Sequence, residues 1–476
     1  MCIVSDMSFL RKSVCGFCVS AKPRVVSFDL PASIDSTRLA ERERLRKKRG
    51  SDVSASAQHQ LDEYFPTSVI SPQETALVEG VKRPNLWLTD NDNVCIDDVG
   101  RFWRFTRSDL MRLLPEGLAG ELSRDIVLMP SRTRDIGIMH RKTSSEILMQ
   151  LSMMESGLMG NKSGWLLEGK RGTGKSAILN TVVAAARNRG WLVLFEPMGS
   201  RFGKEICQIV RSANGLYLQN QLAKEFLERF VTFNQDMLMQ IPVQSKFYGR
   251  TSIDGSPIEM IERVYLPQIL EKLDSSTTTL SEQIKNTHKL RSKLVVASMK
   301  DRCPNPANVY EICEFGINNM SFATQAVGEL LNQLKVQENF PVLIAVDEYN
   351  EMMTVSEYVS TRYDNTQFNG YIPNYHLALS RMLSRWDGHE YKRGIKLVAT
   401  SWNRRNRRQW DPTLLKINNS QIKQVRNFTK NEFEHFCAYQ ALTNTSKNFP
   451  ETKIDYFYML TQGNGFETRK IMATLH

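Results

Sequence analysis

Apolar and polar positions divide the 476-residue chain into two kinds of stretch. Four short apolar runs carry no internal helical period. They are "WLLEG" at 165–169, "WLVLFEP" at 191–197, the Val342 to Val346 run within "PVLIAVDEYN", and "GIKLVATSWN" at 394–403. Such runs, bounded by turn or charged residues, predict strands covered on both faces, the pattern of a parallel sheet. Between them, "SAILNTVVAAARNRG", "QNQLAKEFLERFVTFNQDMLMQI", "IEMIERVYLPQILEKL" and "TQAVGELLNQLKVQ" repeat apolar residues at helical spacing. Gly190 is the expected stop of the first. Residues 136–160, rich in Met, show helical spacing up to the first strand, and a Met stripe fits core packing better than a binding groove. Residues 198–340 separate the second and third strands, far more than one crossover helix requires.

The expectation is therefore an α/β chain: a parallel-sheet domain over 136–410 with a helical insertion at 200–335. A basic extension at 1–60 and a segment at 61–135 packed on the core precede it. Residues 411–476, without strong strand signals, predict a small helical C-terminal lobe. The chain has no internal repeats.

Candidate chemistry begins after the first strand. Gly169, Lys170, Arg171, Gly172, Thr173, Gly174, Lys175 and Ser176 fit G-x-x-x-x-G-K-[ST] without substitution. A phosphate cradle needs inward-facing backbone N–H groups and a chain that can take left-handed angles, hence the glycines. The following helix adds the positive end of its dipole. Lys175 is the candidate for the β- and γ-phosphates and Ser176 for Mg²⁺. A Gly/Lys-rich surface turn is the bland alternative, and the flanking strand and helix weigh against it.

A P-loop site needs a carboxylate on the Mg²⁺ side at a neighbouring strand end. Asp347 fits that place. Glu348 stands where a general base for hydrolysis would be. Thr400, Ser401 or Asn403 ends the last strand near the expected γ-phosphate, a weak signal. "TKID" at 452–455 has the letters of a guanine-reading motif, but no strand precedes it, so it predicts a lead-in to a C-terminal helix. The base, guanine or adenine, is not readable from local motifs.

Charge changes the picture of partners. The net charge is +11, which suits an anionic surface such as nucleic acid. "SWNRRNRRQW" sets Arg404, Arg405, Arg407 and Arg408 between Trp402 and Trp410, a combination suited to RNA phosphates and exposed bases. The stretch 38–50 is a second basic cluster. Eight scattered cysteines make no disulfide framework, and Cys15 and Cys18 lack a second half for a metal site. No run is long enough to span a membrane. The first residues carry Arg11, Lys12, Lys22 and Arg24 against a single early Asp6, like an organellar presequence or a disordered tail.

The order of parts resembles the death-associated protein 3 family of mitochondrial small-subunit ribosomal proteins, P-loop proteins of the AAA+/STAND type. The similarity rests on "LLEGKRGTGKS" with "RGWLVLFEP", "PVLIAVDEYNEM", "DPTLL", "VRNFTKNEFEHFCAYQ" and "LTQGNGFETRKIMATL". Its most specific part is Gly316, Ile317, Ala323, Thr324, Ala326, Val327 and Gly328. The resemblance covers roughly residues 100–476. It implies an AAA+/STAND-like fold, a presequence and the mitochondrial matrix. It also implies a bound guanine nucleotide (GTP or GDP with Mg, ATP remaining open) and contacts with small-subunit rRNA, head proteins and the subunit interface. It implies a non-acidic residue after Asp347 in animal members, so Glu348 leaves hydrolysis open. A free AAA+/STAND ATPase or signalling switch is the competing expectation. Arg469, in "GNGFETRK", is either a cis contact to the γ-phosphate or a solvent-facing helix residue.

Overall fold

The computed structural model describes residues 86–88, 98–120, 136–158, 163–212, 216–249, 299–361, 368–401, 411–442 and 453–474. The basic stretch 402–410, the cluster at 38–50, Cys15, Cys18, the expected presequence and the expected helix at 258–273 lie outside them. In chain order the described strands are β1 (Phe102–Phe105), β2 (Ile136–Met139), β3 (Trp165–Glu168), β4 (Leu192–Glu196), β5 (Val210–Arg211) and β6 (Tyr217–Leu218). They continue with β7 (Val342–Val346), β8 (Val355–Thr361), β9 (Phe368–Pro373), β10 (Gly394–Ala399) and β11 (Ile422–Gln424).

The four apolar runs form the centre of one parallel sheet in the order β11-β3-β10-β7-β4. Alternation along these strands sorts their side chains into two cores. Leu166, Leu194, Ile344 and Val398 face one core, with the helices Asn220–Met239, Val309–Asn318 and Ala323–Val336. Trp165, Leu167, Val193, Leu343 and Leu397 face the other, with the helices Lys142–Glu155 and Lys175–Asn188 and the strand β1. Burial on both faces explains why these strands lack a polar period. Cys207, Cys303, Cys313 and Cys437 are free thiols, and no described helix is long and apolar enough to cross a membrane.

Two local expectations are corrected. Residues 136–139 are not helical: Ile-Gly-Ile-Met pairs antiparallel with β1, and the helix begins at Lys142. Four apolar residues cannot tell a strand from a helical turn by period alone. The C-terminal part also contributes a strand, because Ile422–Gln424 extends the sheet beside β3. Its "IKQ" is half-buried or exposed at the sheet edge and so carries no apolar signature. After β7, β8 and β9 pair as an antiparallel hairpin. The helix Ile454–Thr461 begins within "TKID", with Lys453 at its N-cap and Asp455 in its first turn.

The C-terminal helices Lys430–Leu442, Ile454–Thr461 and Gly465–Thr474 make a third core. Phe433, Phe436, Phe457 and Met472 pack there against Phe102 of β1 and Met139 of β2. The β1–β2 ribbon is thus shared, one face to the main domain and one to the C-terminal helices.

Candidate functional site

The glycine-rich stretch 169–176 turns from β3 into the helix Lys175–Asn188. Gly172 and Gly174 take φ of +79° and +93°, angles that L side chains adopt only at a cost. A helix starting at Lys175 presents first-turn N–H groups that have no partner within the helix. The Lys175 ammonium bends back over the loop and donates to the Gly169 and Lys170 carbonyls, both at 2.9 Å. The Thr173 hydroxyl donates to the Lys170 carbonyl at 3.0 Å. Neighbouring chain closes on the loop. A Cβ on Gly120 would stand 2.2 Å from the Ser176 Oγ, so the backbone at Gly120 passes directly over Ser176.

Asp347, at the end of β7, is 1 % exposed. Its Oδ1 accepts the Glu348 N–H at 2.7 Å. Its Oδ2 is buried beside the Ser176 side chain, with no partner in full hydrogen-bond geometry among the described residues. Burial pushes the carboxyl up to about 7; the Ser176 hydroxyl, the Glu348 N–H and Lys175 pull it back, and the Glu348 charge adds to the rise. An orphaned buried carboxylate oxygen next to a serine hydroxyl is a donor set that fits a hard divalent cation such as Mg²⁺. Glu348 itself sits at φ +53°, an uncommon conformation for a non-glycine residue. Its carboxylate accepts the Ser200 hydroxyl.

Thr400 lies at the end of β10, between the strands that carry the loop and Asp347. Its N–H and Oγ1 both donate to the Leu167 carbonyl, at 3.0 and 3.2 Å. Ser401 joins a polar group that sequence reading missed: its N–H donates to Asn350 Oδ1 at 2.7 Å and its Oγ to Glu351 Oε1 at 3.0 Å. Asn403 lies outside the described residues.

The C-terminal helices reach the loop directly. Gly465 N–H donates to the Gly172 carbonyl at 3.2 Å, and Asn464 Nδ2 to the Arg171 carbonyl at 2.8 Å. The Arg171 guanidinium lies over the Phe466 ring, 4.0 Å from its centroid. Arg141 completes the junction. It is buried, pairs with Glu432 at 2.9 Å, and donates to the carbonyls of Thr173 at 3.0 Å and Arg426 at 2.9 Å. Burial lowers its pKa and Glu432 raises it. Neither Arg141 nor Glu432 carried a sequence signal, since 291 positions separate them.

These walls enclose a cavity of about 510 Å³, within the range of small-molecule sites. Arg171, Gly172, Gly174, Lys175, Ser176, Asp347, Glu348 and Thr400 all line it, and so does Arg469. Gly169, Lys170 and Thr173 shape the loop behind that surface. Arg469 Cζ lies 5.7 Å from the Phe436 ring centroid. Phe102, Met139, Phe428, Phe436 and Tyr439 add apolar lining, with the Arg141 guanidinium 4.6 Å from the centroid of the Phe428 ring.

The family model for "mitochondrial ribosomal death-associated protein 3" matches residues 138–459. A cattle (Bos taurus) protein named small ribosomal subunit protein mS29 is 24 % identical over 262 residues, covering 53 % of this chain and 52 % of its own length. A mouse (Mus musculus) protein of the same name is 26 % identical over 189 residues, covering 38 % of this chain and 46 % of its own. The chain thus spans about half the length of these relatives.

Proposed function

The chain belongs to the mitochondrial ribosomal death-associated protein 3 family, a mitochondrial family, and from that membership we propose that it is a structural protein of the small ribosomal subunit that keeps a bound nucleotide. The observation that carries the nucleotide is the convergence of Lys175, Ser176 and Asp347, from two strand ends, on one cavity. In this reading the fold is a P-loop NTPase domain of the AAA+/STAND type. The ligand is GTP or GDP, with ATP as the other purine the cavity would admit.

The loop N–H groups and Lys175 bind the phosphates, and Ser176 and Asp347 hold Mg²⁺, whose charge offsets that of the phosphate tail. Arg171 and Arg469 add cations from the loop and from the C-terminal helices. The aromatic lining that includes Phe102 and Phe428 is the natural place for the base. Small-subunit rRNA and neighbouring ribosomal proteins are the proposed partners, supported by the names of the relatives and the net charge of +11.

Two features support retention over turnover in this reading. Glu348, the candidate base, is engaged by Ser200. The C-terminal segment is hydrogen-bonded to the loop itself, so ligand and lobe order each other. The competing reading, a free ATPase or switch, rests on the presence of Glu348. The test is Lys175→Ala in the full-length protein. It removes a charge-assisted phosphate contact and should abolish nucleotide binding at micromolar concentrations. It should also abolish the rise in Tm that nucleotide gives the wild type, because a ligand stabilises the state that binds it. Equal binding by both proteins would remove the loop from the account.

A further inference from the structure

Lys204 is a cation on the cavity wall that belongs to no motif. Lys204 ends the short helix Arg201–Lys204 and lines the same cavity as Lys175, Asp347 and Glu348. The segment that carries it is clamped to the end of β7. Gly199 N–H donates to the Asp347 carbonyl at 2.9 Å. A Cβ on Gly199 would stand 2.7 Å from that carbonyl oxygen, so the approach requires glycine. Ser200 holds the Glu348 carboxylate. Phe202 is fully buried, and Gly203 packs so tightly that a Cβ would meet Asn374 Oδ1 at 2.2 Å. The backbone leading to Lys204 is therefore fixed, while its side chain is 50 % exposed.

Its Nζ lies 3.3 Å from Glu351 Oε2. Glu351 is 3 % exposed and is also held by the Ser401 hydroxyl. Asp347, Glu348 and Glu351 all line this end of the cavity. A polyphosphate bound with its tail toward these carboxylates would meet like charge there. Lys175 is drawn to the loop side. Lys204 is the cation on the carboxylate side, on a flexible stem with three rotatable donors. It can turn from Glu351 to a phosphate oxygen and stay charge-paired, while Ser401 continues to hold Glu351.

We propose that Lys204 is a cation supplied in cis to the terminal phosphate of the bound nucleotide, and that it sets the preference for triphosphate over diphosphate. This rests on the nucleotide reading of the cavity given above. The experiment uses the full-length protein with Mg²⁺ and fluorescent N-methylanthraniloyl GTP and GDP, with the adenine pair in parallel. Lys204→Met should weaken triphosphate binding at least tenfold, about 1.4 kcal/mol, and leave diphosphate binding within twofold. Lys204→Arg should restore most of the loss, which separates lost charge from misfolding. Lys175→Ala should weaken both forms. If the wild type binds both forms and Lys204→Met changes neither, or changes both equally, the Lys204 assignment is overturned and the nucleotide site stands. If the wild type binds none of the four nucleotides, both assignments fall together.

Discussion

Arg141 meets Glu432 across 291 positions of sequence, Nε to Oε1 at 2.9 Å, while another of its nitrogens donates to the Thr173 carbonyl inside the glycine-rich loop. One buried guanidinium thus ties the loop to the first turn of a C-terminal helix. Glu432 also caps that turn by accepting the Thr429 N–H at 2.8 Å. Both charged side chains are less than 10 % exposed. Removing one member of such a pair strands the other and costs about 3–5 kcal/mol. Arg141→Met and Glu432→Leu should each lower stability by that order in urea melts. The double substitution should cost less than the sum of the two, as expected for coupled sites.

Gly172 carries the contact from the other side. At φ +79° it leaves no room for a Cβ, which would stand 2.3 Å from Phe466 Cβ and 2.8 Å from the Phe466 nitrogen. Alanine there meets both a backbone penalty and a clash, together about 2–4 kcal/mol. Gly172→Ala should weaken nucleotide binding and make the C-terminal helices exchange amide hydrogens faster. Gly190→Ala, also at positive φ (+77°) but with nothing within 4 Å, should cost only the backbone part and leave binding intact.

Two buried groups oppose each other in their pH dependence. His140, fully buried and bonded to Ser145 at 2.6 Å, is lowered to about 4, chiefly by burial, with the Asp98 charge pulling the other way. The unfolded chain protonates this group near 6.5, so below that pH the unfolded state binds the proton and the folded state does not. Its contribution is complete above 6.5 and is lost as pH falls toward 4. Asp347 runs the other way. With its carboxyl raised to about 7, the folded, nucleotide-free protein holds a proton that the unfolded chain releases near 3.8. That contribution is present below 3.8 and is lost as pH rises to 7. The linkage is at most roughly 3 kcal/mol for His140 and roughly 4 kcal/mol for Asp347. His140→Gln should therefore make stability fall more steeply between pH 4 and 6.5 as pH rises, and Asp347→Asn should make it rise more steeply. Asp347→Asn should also raise the Tm of the nucleotide-free protein at pH 8 while abolishing Mg²⁺-dependent binding. Unchanged pH profiles would remove these two groups from the account.

Ser200 restrains Glu348 in the present account. Ser200→Ala should raise phosphate release severalfold above a low basal rate, and Ser200→Ala with Glu348→Gln should return it to baseline. If Ser200→Ala leaves the rate unchanged while Glu348→Gln abolishes it, Glu348 already works as a base and Ser200 is no restraint.

The sheet and the turn from β3 into the helix Lys175–Asn188 were legible because both are local. An apolar run of Val342–Val346 or Leu192–Phe195 needs no distant partner to read as a strand, and the loop is one contiguous motif. Asp347, Thr400 and Arg469 were legible as positions, and the structure brings all three to the same cavity. What was not legible is built across distance. Glu432 reads as an ordinary helix-start acid and Arg141 as a solvated charge until folding places them together. Lys204 and Glu351 stand near strand exits with no spacing that announces them. Short Ile422–Gln424 is a strand only because β3 offers it an edge, and Ile136–Met139 only because β1 does.

The central claim is that the nucleotide is kept, and a chase on intact small subunits tests it most directly. Subunits carrying this chain are loaded with labelled GTP or ATP and challenged with a large excess of unlabelled nucleotide, while retained label and released phosphate are followed together. The account predicts label retained for hours with no steady phosphate release. Exchange within seconds, coupled to continuous phosphate release, would contradict it and establish the ATPase or switch reading instead.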